Sequence, residues 1–225
     1  MRRLRIGLSA LSLRVIPLLV SATLCCLIPS PAPADELDSI VSKLQERYEI
    51  VHELSADFTQ ANFSKGMGES VTTSGKVYFK KPGMMRWEYN NPDGDLLVSD
   101  GTTTWLLQAD LNQVIESSAD VTGSTIARNF LAGIGSIRQD FDISLVGFTG
   151  ESYRLDLSTK IDHPSIDRLY IDVDRVSFLI MGTTVLDRFG NETKIKFSGI
   201  QTDRGLKPSL FTYTPPEGVI VVRPR

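Results

Sequence analysis

From Leu54 onward the chain keeps a two-residue rhythm: Val71, Thr73, Gly75, Val77 and Phe79 interleave with Thr72, Ser74, Lys76, Tyr78 and Lys80. A period of two sends successive side chains to opposite faces of an extended chain, so one set lines a buried face and the other meets water. Similar runs span residues 54–63, 70–80, 84–89, 95–99, 103–108 and 113–116, then 141–148, 152–158, 167–174, 177–186 and 192–200. They amount to eleven predicted strands, punctuated by Gly, Pro, Asn and Asp. The links Lys81-Pro82-Gly83, Asn90-Asn91-Pro92-Asp93-Gly94 and Asp100-Gly101 are far shorter than the crossover of about a dozen residues that a parallel pair requires. Neighbouring strands are therefore expected to be antiparallel.

Two stretches break the rhythm. Leu37, Ile40, Val41, Leu44, Tyr48 and Val51 recur at steps of three and four, which marks an amphipathic helix ahead of the first strand. Between the two sets of strands, Ile126, Phe130, Leu131, Ile134 and Ile137 suggest a short helical segment over residues 125–137, with Ser124 as a cap. Helices this few cannot cover both faces of so large a sheet. The expected fold is mainly β, an incomplete, half-closed antiparallel β-barrel of about eleven strands that curls around its own apolar face under an α-helical lid. No disordered linker and no internal repeat divides residues 35–225, which read as one domain.

Residues 1–34 stand apart. Arg2, Arg3, Arg5 and Arg14, with no acidic residue among them, precede an apolar run over residues 15–28 and the small residues Ala32-Pro33-Ala34. This is the three-part pattern of a secretory signal peptide, with cleavage expected after Ala34. The 14-residue run is shorter than the roughly 20 residues that span a bilayer. Cys25 and Cys26 lie inside it, and Ala22-Thr23-Leu24 before them lacks the small final residue of a lipidation site. The expected exported chain of 191 residues thus holds no cysteine, and its 20 basic against 27 acidic side chains give a net charge of −7. Such acidity argues against a nucleic-acid partner, which calls for clustered Lys and Arg. The expected location is the periplasm.

A search for catalytic groups returns little. His52 ends the first helix and His163 sits in the turn Asp162-His163-Pro164; neither belongs to a recognised local arrangement, and both read as turn or solvated residues. The chain has no cysteine nucleophile after residue 26, no zinc-type spacing, no Gly-rich phosphate loop and no G-x-S-x-G context, so neither a cofactor nor a metal is expected. Bulky apolar residues stand out instead. Strand parity puts Val77, Phe79, Met85, Trp87, Trp105 and Leu107 on the inner face, with Phe58 and the lid residues Ile126, Phe130 and Leu131 near them. Such residues are ordinarily plain core. A half-closed sheet of this size nevertheless encloses more volume than one layer of side chains fills, so part of the interior is expected to be a cavity.

The run Gly75-Lys76-Val77-Tyr78-Phe79-Lys80-Lys81-Pro82-Gly83-Met84-Met85-Arg86-Trp87-Glu88-Tyr89, then Leu97-Val98-Ser99-Asp100-Gly101 and Trp105, resembles the outer-membrane lipoprotein carrier proteins of the LolA family. The closing Phe211-Thr212-Tyr213-Thr214-Pro215-Pro216-Glu217-Gly218-Val219 is similar too, so the resemblance covers nearly all of residues 35–225. It implies an incomplete eleven-stranded barrel with a helical lid. It also implies a carrier, not an enzyme, that takes acylated lipoproteins from an ATP-driven releasing complex of the inner membrane and delivers them to the outer membrane, where an acceptor lipoprotein is a further expected partner. A monomer is expected. By the resemblance, the basic residue before Pro82 latches the lid; the family's usual Arg is Lys81 here, a point charge in place of a planar fork. Met84 and Met85 suit an adaptable wall against lipid.

Two other readings stand beside the carrier. One is a sensory module of the same fold that recognises a lipid or peptide and signals to a membrane protein; 191 residues leave it little room for a partner-binding domain. The other is a periplasmic hydrolase built on an unrecognised carboxylate pair.

Overall fold

The computed structural model describes residues 33–90, 93–118, 137–160 and 166–224, and the predicted signal peptide lies almost wholly outside them. The amphipathic stretch forms α1 (Pro33–Ile50), with Ile40, Val41, Leu44 and Tyr48 buried at their helical spacing. Six strands follow: β1 (Glu53–Ser64), β2 (Glu69–Lys80), β3 (Met84–Asn90), β4 (Asp93–Asp100), β5 (Thr103–Gln108) and β6 (Gln113–Ser118). A short α2 (Ile137–Asp140) leads into β7 (Phe141–Thr149), β8 (Ser152–Thr159), β9 (Arg168–Asp174), β10 (Ile180–Leu186) and β11 (Glu192–Thr202). Of the helical segment predicted over 125–137, only Ile137 is among the described residues; it opens α2 and is buried.

All these strands and a further one, β12 (Ile220–Val222), belong to one sheet in the order β12-β6-β5-β4-β3-β2-β1-β11-β10-β9-β8-β7. The chain lays down one wing outward from β1 to β6, restarts at the far edge with β7, and works inward until β11 pairs antiparallel with β1. The two edges, β12 and β7, do not pair, so the sheet is open, as a half-closed barrel requires. Among the described residues it has twelve strands where eleven were predicted. The addition, β12, is parallel to β6. Three consecutive apolar residues carry no period to read, and the long connection after β11 frees the chain to arrive in the parallel sense.

Register builds the inner face row by row, because residues directly opposite in antiparallel strands share a face. One row runs Ala56, Val77, Trp87, Leu97, Leu106 and Ile115 across β1 to β6. Its neighbour runs Leu54, Phe79, Met85, Ser99, Thr104 and Ser117. On the other side Phe58 lies opposite Gly75, where an added β-carbon would fall 1.8 Å from the Glu88 carbonyl oxygen; glycine lets the strands and the Phe58 ring close in. The wing from β7 to β11 contributes Leu155, Leu157, Leu169, Ile171, Ile195 and Phe197 to the same core, which α1 completes.

Candidate functional site

Phe58, Val77, Phe79, Met85 and Trp87, all predicted for the inner face, meet there, and none is more than 4% exposed. Trp87 is their centre. Its ring has Phe58 edge-on at 4.9 Å, Phe79 edge-on at 5.8 Å and Phe197 tilted at 6.2 Å. Edge-to-face pairs of this kind add about 0.5–1.5 kcal/mol each to the burial of the rings. Val41, Leu44 and Tyr48 of α1 belong to the same cluster, so the helix roofs the face. At the helix's C-terminal end, between Tyr48, Phe79 and Lys81, a small cavity measures about 10 Å³, room for roughly one water.

The register corrects two of the predicted inner residues. Leu106, not its neighbours, stands in the Trp87 row, so Trp105 and Leu107 point to the outer face of β5. Parity carries along a strand but not around a turn, and β5 has apolar residues on both faces, so either phase fits its sequence. Trp105 packs instead against Tyr213 at 6.5 Å, beside Val98, Val114 and Phe211, each fully buried on that outer side. Alternation also separates the two methionines: Met85 pairs with Phe79 inside, while Met84 pairs with Lys80 outside, so only Met85 belongs to the inner wall. The lid residues Ile126, Phe130 and Leu131 lie outside the described residues.

Lys81 lies against the C-terminal end of α1, where its Nζ donates to the Tyr48 carbonyl. That carbonyl is available for a specific reason. The His52 N–H that would close the next helical turn donates instead to Asp203 Oδ1 at 2.9 Å. A cation at a helix C-terminus is also favoured by the helix dipole. Burial lowers the Lys81 pKa, against the pull of the Asp203 and Glu49 carboxylates. Tyr48 is held from its other end too, since Ile180 N–H donates to Tyr48 Oη at 3.2 Å; burial drives the phenol's pKa well above its ordinary value.

Further ties reach the same helix. Lys43 Nζ sits 5.2 Å above the Phe178 ring, and Arg138 donates to Asp38 at 3.0 Å and to Ser42 at 3.3 Å. Below it, Glu53 is 6% exposed and receives Lys80 at 2.6 Å, Leu206 N–H at 2.8 Å and Gly205 N–H. Burial works against its ionisation, but these donors outweigh it and hold the carboxyl below the usual glutamate range. Sequence reasoning found α1 and Lys81 but missed the Tyr48 carbonyl and Asp203 as the groups that hold them, since partners 33 and 151 residues apart leave no local pattern. Leu97 and Leu106 were legible as apolar but not as members of the Trp87 row. Among the described residues, no group of three His, Cys, Asp or Glu is placed to hold a metal ion.

The family described as Outer membrane lipoprotein carrier protein LolA matches residues 49–214. A protein of Chromobacterium violaceum named outer-membrane lipoprotein carrier protein is 31% identical over 208 residues, 92% of this chain and 97% of its own length. A protein of the same name from Nitrosomonas europaea is 32% identical over 199 residues, 88% and 94% of the two chains. Among solved structures, an uncharacterized conserved protein from Thermus thermophilus superposes with a TM-score of 0.54 at 13% identity, covering 84% of this chain and 99% of that one; a likeness at such identity speaks for the fold alone.

Proposed function

This chain belongs to the LolA family of outer-membrane lipoprotein carrier proteins, a family of carriers and not of enzymes, and from that premise we propose that it ferries lipoproteins across the periplasm with their acyl chains held on the Trp87 face. In this reading the leader is cleaved after Ala34, and the mature protein works as a monomer. Cargo arrives from an ATP-driven releasing complex in the inner membrane and leaves at the outer membrane, to an acceptor lipoprotein. The observation that carries the reading is a continuous apolar face, from Ala56 through Trp87 to Leu106, roofed by a helix whose end is held by polar ties to Lys81, Asp203 and Ile180.

Physical need and geometry fit each other. At about 0.8 kcal/mol per buried methylene, a long acyl chain left in water costs on the order of 10 kcal/mol, enough to drive aggregation or reinsertion. A carrier that used all of that energy would never release its load. When the chain displaces α1, the contacts of Val41, Leu44 and Tyr48 are given up, and that loss moderates the affinity. Phe58, Val77, Phe79, Met85 and Trp87 form the wall for the chain, with Ile126, Phe130 and Leu131 assigned to the lid. Lys81 is the latch. The test is purification of the native protein from the periplasm, followed by mass spectrometry of what comes with it. Acylated lipoproteins or their lipid-modified N-terminal peptides are expected; a protein that is consistently empty overturns the carrier.

A further inference from the structure

The inner face of the first wing is not uniformly apolar. Next to the Trp87 row, on β4, β5 and β6, the register aligns three hydroxyls, Ser99, Thr104 and Ser117. Two residues along a strand separate the rows by about 7 Å. Ser99 is fully buried, and its Oγ accepts the Gly101 N–H at 3.2 Å. Thr104 is different. It is 1% exposed, and its Oγ1 meets no hydrogen-bond partner among the described residues. A buried hydroxyl without a partner loses its bond to water and gains nothing in return. Valine has the same shape, suits a strand at least as well and carries no such cost. What threonine adds at this place is one buried O–H on the inner-face row.

Resting on the carrier reading above, we propose that the Thr104 hydroxyl donates to a carbonyl oxygen of the cargo's acyl ester and so sets how deep the chain lies across the Trp87 row. The chemistry matches on both sides. An acyl ester ends its hydrocarbon in a carbonyl that accepts hydrogen bonds and carries no charge, and a carbonyl taken out of water with its chain needs a donor. Around Thr104 on this face stand Met85, Ser99, Leu106 and Ser117, none of them charged. A phosphate or carboxylate would find no counter-charge in that row. A chain laid along Leu106, Leu97, Trp87 and Val77 would leave its ester about one row away, beside the hydroxyls.

The test compares wild type with Thr104→Val and Thr104→Ser, using a synthetic diacylglyceryl-cysteine peptide and its dialkyl-ether analogue of equal chain length, with affinities from calorimetry. Wild type and Thr104→Ser should prefer the ester by about tenfold, the worth of one well-made hydrogen bond. Thr104→Val should bind both peptides alike, and its empty form should melt no lower than wild type, because an orphan hydroxyl has been removed. An ester preference kept in Thr104→Val overturns the proposal. So does a fall in its melting temperature, which would mean that the hydroxyl has a structural partner such as a trapped water. Should Thr104→Val fold poorly, Thr104→Ala carries the same comparison. A wild-type protein that captures neither peptide sinks the carrier reading itself, which separates the two failures.

Discussion

Glu53 shows how much one buried carboxylate ties together, since it joins the start of β1 to Lys80 and to the backbone at Gly205 and Leu206. Its folded pKa lies below the ordinary value, so its contribution is complete above the ordinary glutamate range and is lost as pH falls through the folded value. Glu53→Gln should cost about 2 kcal/mol near neutrality, and denaturant melts should show the gap to wild type closing in acid. A gap that stays constant with pH would contradict this assignment. Lys81 acts on the helix and not on the sheet. Lys81→Leu should fold normally, exchange the amides of α1 faster with solvent, and transfer lipoprotein poorly; unchanged transfer would remove the latch. The position of Lys81 could be read from sequence, whereas its acceptor could not. The Tyr48 carbonyl is left to Lys81 because Asp203, far along the chain, has taken the N–H that would otherwise share it.

Among the elements, α1 was the plainest in sequence, and the strands were nearly as plain, because each keeps its period over several residues. What periodicity leaves open is where a helix sits. α1 lies on the inner face, with Leu44 fully buried between the wings. Leu44→Ala should therefore cost about 3 kcal/mol and, on the carrier reading, also make the Trp87 face easier to open. Thermal melts would measure the first effect and quenching of tryptophan fluorescence the second; a loss of stability with no added quenching would make α1 a plain core helix. Strand β5 taught the opposite lesson. Apolar on both faces, it allowed two phases, and only pairing with Leu97 told that Leu106 faces inward while Trp105 faces out.

Across the whole molecule, the wings meet at the β1–β11 pair, which joins residues near both ends of the described chain. Outside that curved sheet, the segment after β11 crosses back over β3 and β4, drops Phe211 into the outer cluster, receives Arg86 on the Leu210 carbonyl at 3.3 Å, and ends by pairing β12 to β6. Arg223 fastens it with two bonds to Glu116, at 2.8 and 3.2 Å. A chain stopped after Lys207 would uncover Val98, Val114 and Trp105 and leave the edge of β6 unpaired. Light scattering should then report self-association, and the melting temperature should fall. A truncated protein that stays monomeric at full stability would show the segment to be dispensable.

Sequence by itself determined α1 and eleven of the described strands, that neighbours on short turns run antiparallel, and that a sheet with so little helix must curve over its own apolar face. These follow from local chemistry: the pleat, the helical repeat, and the length of chain between elements. Only the tertiary structure decided which face of β5 looks inward, that a twelfth strand joins in the parallel sense, that α1 roofs the Trp87 row, and that Thr104 is buried with no hydrogen-bond partner among the described residues. Each of those depends on residues brought together from distant parts of the chain, and a pattern of spacing along one segment holds no record of what will lie across from it.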